Sequence, residues 1–195
     1  MDHLDLSVGL AVDIRLVKGR PKQFDSVLDL GAIYLDRKNN SRDEAYYLGG
    51  KYDPPQSIYE KFCRWLNDSN RTHSFLVGEN PCVEYGLLSS FAEAHQLPNP
   101  LRSIGLITIE ELAIAYERTK KRIIPRQHED ILTLEDIFLY VGVIGENGAG
   151  LTGGALTRAN LEAETAVRLI SGKPRRTGYR SNYGKEFNKF VKKPI

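Results

Sequence analysis

The chain changes character at Pro54-Pro55, and that break constrains its fold more than any other feature. Upstream, Leu6–Asp13 is an apolar run that reads as a buried strand. A polar loop centred on Lys18-Gly-Arg-Pro-Lys22 separates it from a second β-rich run, Ser26–Leu35. A turn over Asp36–Ser41 leads to a third strand over Ala45–Leu48. Links this short join antiparallel neighbours, so this half predicts a meander. Downstream of the prolines, helices alternate with short strands. Ile58, Phe62, Trp65 and Leu66 recur at helical spacing over 56–67. Ser74–Gly78 reads as a buried strand, and Val83, Leu87, Leu88 and Phe91 share one face of a helix over 82–95. Ile104–Ile107 is a fifth strand that feeds a helix carrying Leu112, Ala115 and Tyr116. Thr133 and Asp136 predict a capping box that opens a helix to Val141. Gly145–Gly154 is a glycine-rich loop, and Leu156, Ala159, Ala163, Ala166, Val167 and Ile170 form the stripe of a last helix. A meander followed by β/α crossovers is an α/β fold: a mixed five-stranded sheet flanked by helices.

A chain of 195 residues can bury one sizeable core. With 41% hydrophobic and 27% charged residues it has a globular rather than a disordered composition. No apolar run approaches the roughly 18 residues of a membrane span, so no membrane partner is expected. The acidic start, Met1-Asp-His-Leu-Asp5, has no basic n-region and does not read as a signal peptide. A cytoplasmic protein follows, with Cys63 and Cys82 as buried, reduced thiols. Charge is unevenly spread. Residues 173–195 carry eight basic side chains against one acid, a net of +7, whereas the body carries 19 against 24, a net of −5. The chain therefore divides into a domain over 1–172 and a basic, aromatic-containing tail over 173–195 suited to a polyanion or an acidic protein.

Four segments carry a resemblance. Ala11-Val-Asp-Ile-Arg15 is followed by Asp25-Ser-Val-Leu-Asp-Leu-Gly-Ala-Ile33. Leu76-Val-Gly-Glu-Asn-Pro-Cys-Val-Glu84 comes next, then Leu132–Val143, then Gly153-Gly-Ala-Leu-Thr-Arg-Ala-Asn-Leu-Glu-Ala-Glu164. In this order they resemble the motifs of the DEDD-type 3′–5′ exonucleases of the ribonuclease H-like fold, most closely their proofreading-subunit branch. The resemblance covers about residues 6–172. It implies the exonuclease fold and, in an intact member, four carboxylates holding two divalent metals, with a His that activates water.

The departures decide what the resemblance implies here. The first acid survives as Asp13, the second falls on Arg15, the third on Glu84 and the fourth on Arg158. The catalytic His falls on Gly153, the second-motif His is Glu79, and its Asn is kept as Asn80. Asp13, Arg15, Glu84 and Arg158 sum to zero charge, and guanidiniums do not deprotonate, so no metal is expected at these positions. A catalytically degenerate protein follows, with no catalytic residues and no cofactor. The rival is an active enzyme needing Mg²⁺ or Mn²⁺, with Asp13, Glu84 and a shifted Glu162 as ligands; Glu162 lies one turn beyond Arg158. His95 and His128 are expected at the surface.

Arg15 and Arg158 have two readings: ion pairs with Asp13 and Glu84, or bidentate binding of a phosphate backbone that is not cut. Nucleic-acid contacts are expected from Arg15, Asn80, Arg158, Lys173, Arg175, Arg176, Arg180, Lys185 and Lys189. Tyr179, Tyr183, Phe187 and Phe190 interleave with the basic tail, which suits stacking on a single strand. Tyr183, Phe187 and Phe190 equally suit a short helix docked on a protein. The expected partner is nucleic acid or a protein of a nucleic-acid-handling complex; a pure scaffold or inhibitor is the remaining alternative. The sequence leaves room for a homo-oligomer.

Overall fold

The computed structural model describes residues 6–18, 23–37, 41–49, 53–67, 73–102, 104–127, 131–144 and 153–173. The centre of the 18–22 loop, the tip of the 36–41 turn, His128, most of the glycine-rich loop and the tail from residue 174 lie outside these.

Five strands, β1 (Val8–Leu16), β2 (Val27–Asp36), β3 (Ser41–Leu48), β4 (Phe75–Gly78) and β5 (Gly105–Thr108), form one mixed sheet in the order β3-β2-β1-β4-β5. β1, β2 and β3 are antiparallel neighbours, while β4 and β5 add in parallel beyond β1. Among the described residues five α-helices flank the sheet: α1 (Pro55–Asn67), α2 (Pro81–Ala94), α3 (Ile109–Lys120), α4 (Leu134–Val141) and α5 (Ala155–Ser171). The expected α/β fold with a mixed five-stranded sheet is what forms. Thr133 and Asp136 make the full capping box at the start of α4.

β1 is buried along most of its length because both of its faces are covered. Val8, Leu10, Val12 and Ile14 pack with Leu30, Ala32, Ile58, Tyr59, Phe62, Leu88 and Phe91 under α1 and α2. On the other face, Ala11 packs with Ile33, Phe75, Val77 and the alanines of α5. Side chains alternate along a strand. Asp13 and Arg15 therefore lie on the α5 face, just past the point where its apolar packing ends.

Gly31 fixes how close α5 comes. A Cβ there would lie 2.2 Å from the Leu156 nitrogen, so only glycine lets the first turn of α5 rest on β2. Asp13 is the cross-strand partner of Gly31, and Arg15 that of Asp29. The start of α5 is thereby held over the polar end of β1.

Two expectations are corrected. β1 runs on to Leu16 and β3 begins at Ser41, because backbone pairing with β2 continues past the apolar residues. Cys82 is exposed in the first turn of α2, where the helix faces away from the core; only Cys63 is buried.

Candidate functional site: a carboxylate pocket around Arg158

Asp13, Glu79, Glu84, Arg158 and Glu162 come from four parts of the chain and meet at the end of β1. Asp13 is buried on β1. Glu79 sits in the turn after β4, and Glu84 in the first turn of α2. Arg158 and Glu162 project from one face of α5, one turn apart.

Arg158 ties the pocket together. Its Nε donates to Asp13 Oδ1 at 3.2 Å, and a terminal nitrogen donates to Glu79 Oε2. Burial pulls the guanidinium pKa down, but Asp13, Glu79 and Glu162 outweigh burial and hold it above its ordinary value. Glu162 Oε1 accepts the Glu79 backbone N–H at 3.0 Å. Its other oxygen lies over Gly78, where a Cβ would come within 3.1 Å.

The three inner acids resist ionisation. Burial pushes Asp13 up to about 6, Glu84 up to about 7 and Glu162 up to about 8. The Asp13 charge adds to the shift of both glutamates, and Arg158 opposes the shift of all three. Asp13 Oδ2, Glu84 Oε2 and Glu162 Oε2 are buried and accept no hydrogen bond among the described residues. Protons satisfy such oxygens in part.

Arg15 serves a second cluster. The pairing with Asp13 or Glu84 expected of it is not formed, because strand register sets it opposite Asp29. Arg15 donates to Asp29 Oδ2 and to the Gly153 carbonyl, both at 3.4 Å. The same Asp29 oxygen accepts from Tyr46 Oη at 3.0 Å and from the Ala155 backbone N–H at 3.3 Å. Asp29 thus holds the start of α5, an arginine and a tyrosine together.

The charge balance drawn from four aligned positions is therefore incomplete. Glu79, Glu162 and Asp29 join them, so acids outnumber arginines five to two when all are ionised. Neither Glu79 nor Asp29 was expected as an acid of the site. A lone aspartate in an apolar strand, facing an arginine across a hairpin, is the signal that could have found Asp29.

The other candidate residues fall elsewhere. Asn80 is the N-cap residue of α2, though its side chain caps nothing. Gly153 precedes α5, and a Cβ there would lie 2.6 Å from Thr157 Cβ. Lys173 follows the far end of α5, about 20 Å from Arg158 at the helical rise. His95 is exposed at the end of α2. Arg175, Arg176, Arg180, Lys185 and Lys189 lie outside the described residues.

The residues do not fit the implied metal pair. Arg158 occupies the space between Asp13 and Glu79 as a fixed cation, and no group of three or more His, Cys, Asp or Glu side chains among the described residues is arranged to hold an ion. A cavity of about 270 Å³ opens beside Arg158, between Glu79 and Glu162 on one side and Leu134, Glu135 and Phe138 of α4 on the other. No helix among the described residues is long and apolar enough to cross a membrane. No family model matches the chain, and no curated protein matches it.

Proposed function

We propose that this chain is a degenerate exonuclease of the ribonuclease H-like fold that binds single-stranded nucleic acid without cutting it. The observation that carries the reading is Arg158, which links Asp13 to Glu79 where the resemblance implies a carboxylate. A guanidinium can hold a phosphodiester, but it supplies neither the metal-bound nucleophile nor the leaving-group stabilisation that hydrolysis needs. Gly153, in the place of the catalytic His, has no side chain to move a proton. The strand order β3-β2-β1-β4-β5 and the ordered motifs support the fold assignment. The acids around Arg158 repel phosphate unless protonated or drawn onto the arginine, so the +7 of residues 173–195 supplies the long-range attraction.

One observation favours the metal-dependent reading. Glu162 is buried beside Asp13 and Glu84, as a shifted ligand would need to be. Incubation with single-stranded DNA and RNA in Mg²⁺ or Mn²⁺, alongside a binding titration, separates the two readings. Binding without turnover is expected. Turnover that needs the metal and disappears in Asp13→Ala would replace the binding reading with the enzymatic one. Absence of binding to either strand would leave a protein-docking scaffold.

A further inference from the structure

Resting on the nucleic-acid reading, we infer that Tyr46 and Arg15 form a nucleotide platform beside the Asp13–Arg158 pair. In this assignment Tyr46 stacks on a nucleobase and Arg15 holds the phosphate of the same strand.

The two side chains are presented together by one buried anchor. The Asp29 side chain is 4% exposed, yet its Oδ2 takes both Arg15 Nη1 and Tyr46 Oη. Arg15 and Tyr46 are each 42% exposed. A tyrosine pinned at its hydroxyl keeps its ring face available while losing little freedom on binding. An arginine pinned at one nitrogen is oriented in the same way. Both lie on the face of the sheet that also carries Asp13.

Asp13 links the pair to Arg158. Asp13 stands two residues from Arg15 on the same face of β1 and binds Arg158. The two guanidiniums thus flank one aspartate, and Tyr46 lies outward of Arg15, on β3. A strand with one phosphate on Arg158 and the next on Arg15 would bring a base over Tyr46. Gly154 leaves the room this cluster needs: a Cβ there would approach Asp29 Oδ2 to 2.9 Å, Tyr46 Oη to 3.4 Å and Arg15 Nη1 to 3.7 Å. A planar π-face beside a guanidinium recognises a nucleotide with no preference for base identity.

The test uses the full chain and a single-stranded oligothymidylate of about ten nucleotides, with a second oligomer carrying 5-bromodeoxyuridine for photocrosslinking. Tyr46→Ala should weaken binding roughly 5- to 150-fold, the loss of one stacked base, and leave the salt dependence unchanged. Tyr46→Trp should bind at least as tightly as the wild type. Arg15→Ala should flatten the slope of log K against log salt by about 0.7. The wild-type crosslink should map to Tyr46, a readout that stands even if Tyr46→Ala folds poorly. A crosslink mapping elsewhere, together with wild-type affinity in Tyr46→Ala, would overturn the platform while leaving nucleic-acid binding intact. No binding of the wild type would instead remove the reading on which the platform rests.

Discussion

Glu162 on α5 accepts the backbone N–H of Glu79 at 3.0 Å, so one carboxyl of the last helix holds the turn between β4 and α2. The bond uses only Oε1, and the buried Oε2 accepts nothing among the described residues. A buried carboxyl with one acceptor oxygen in use is more stable neutral than charged.

This makes stability fall with rising pH. The carboxyls of Asp13, Glu84 and Glu162 are held at about 6, 7 and 8, above the ordinary carboxylate range. Between about pH 4.5 and 8 the folded chain therefore keeps protons that the unfolded chain releases, and each such proton favours folding less as pH rises. The melting temperature should be higher near pH 5 than at pH 8.5. Glu162→Gln keeps an oxygen for the Glu79 N–H and removes the charge. It should stabilise the fold by about 2–4 kcal/mol at pH 8.5 and change little at pH 5. Thermal melts across this range check it; a slope unchanged in Glu162→Gln would show that Glu162 is not the group responsible.

Gly31→Ala should be severely destabilising. The added methyl meets backbone at Leu156 and Ala155, which cannot rotate away as a side chain could. Either α5 lifts off the sheet, exposing Ala155 and Ala159, or β2 bends. A loss of about 3 kcal/mol or more in urea denaturation is expected, at the upper end of the usual overpacking range. A near-neutral result would mean that α5 sits farther from β2 than the contact distances require.

Most of this architecture was legible because its apolar runs are long and its helix stripes regular. What hydropathy could not show was where backbone pairing outlasts burial. β1 extends through Arg15 because Asp29 faces it, and β3 begins at the polar Ser41 because an edge strand needs only backbone partners. The alanines of the α5 stripe were legible and fix its register. The burial of Glu162 was not, since it depends on Gly78 leaving room beneath the carboxylate, a contact between segments 84 residues apart in sequence. The motif alignment led to Arg158 and Glu84 at the pocket, but of the two readings open for Arg15 the ion pair forms with Asp29 and not with Asp13 or Glu84, because alignment carries no information on cross-strand register.

Asp29→Ala and Asp29→Asn should separate charge from hydrogen bonding at the second cluster. Alanine leaves Arg15, Tyr46 Oη and the Ala155 N–H without their shared acceptor and removes a negative charge at a helix N-terminus, a loss of about 2–4 kcal/mol. Asparagine keeps an acceptor oxygen and should cost about 1 kcal/mol. The Tyr46 pKa is raised by burial first, then by its bond to Asp29 and the Asp29 charge. It should therefore drop toward the ordinary tyrosine value in Asp29→Asn, as read by ultraviolet titration. An unmoved Tyr46 titration would leave burial as the whole cause.

The last expectation divides the work between pocket and tail. Residues 173–195 hold eight basic side chains, and each phosphate contact releases a counterion. With about four to six contacts, log K for a single strand should fall with log salt at a slope of about −3 to −5. Deleting Lys173–Ile195 should remove most of that slope, because Arg15 and Arg158 already spend part of their charge on Asp29, Asp13 and Glu79. Tyr179→Ala and Tyr183→Ala should each weaken binding by about 1–3 kcal/mol with little change in slope. If the tail instead docks on a protein, Phe187→Ala and Phe190→Ala would abolish a pull-down that survives high salt, since apolar burial is not screened. A tail deletion that leaves the slope intact would assign the phosphate contacts to the folded body, with Arg15 and Arg158 the first residues to substitute.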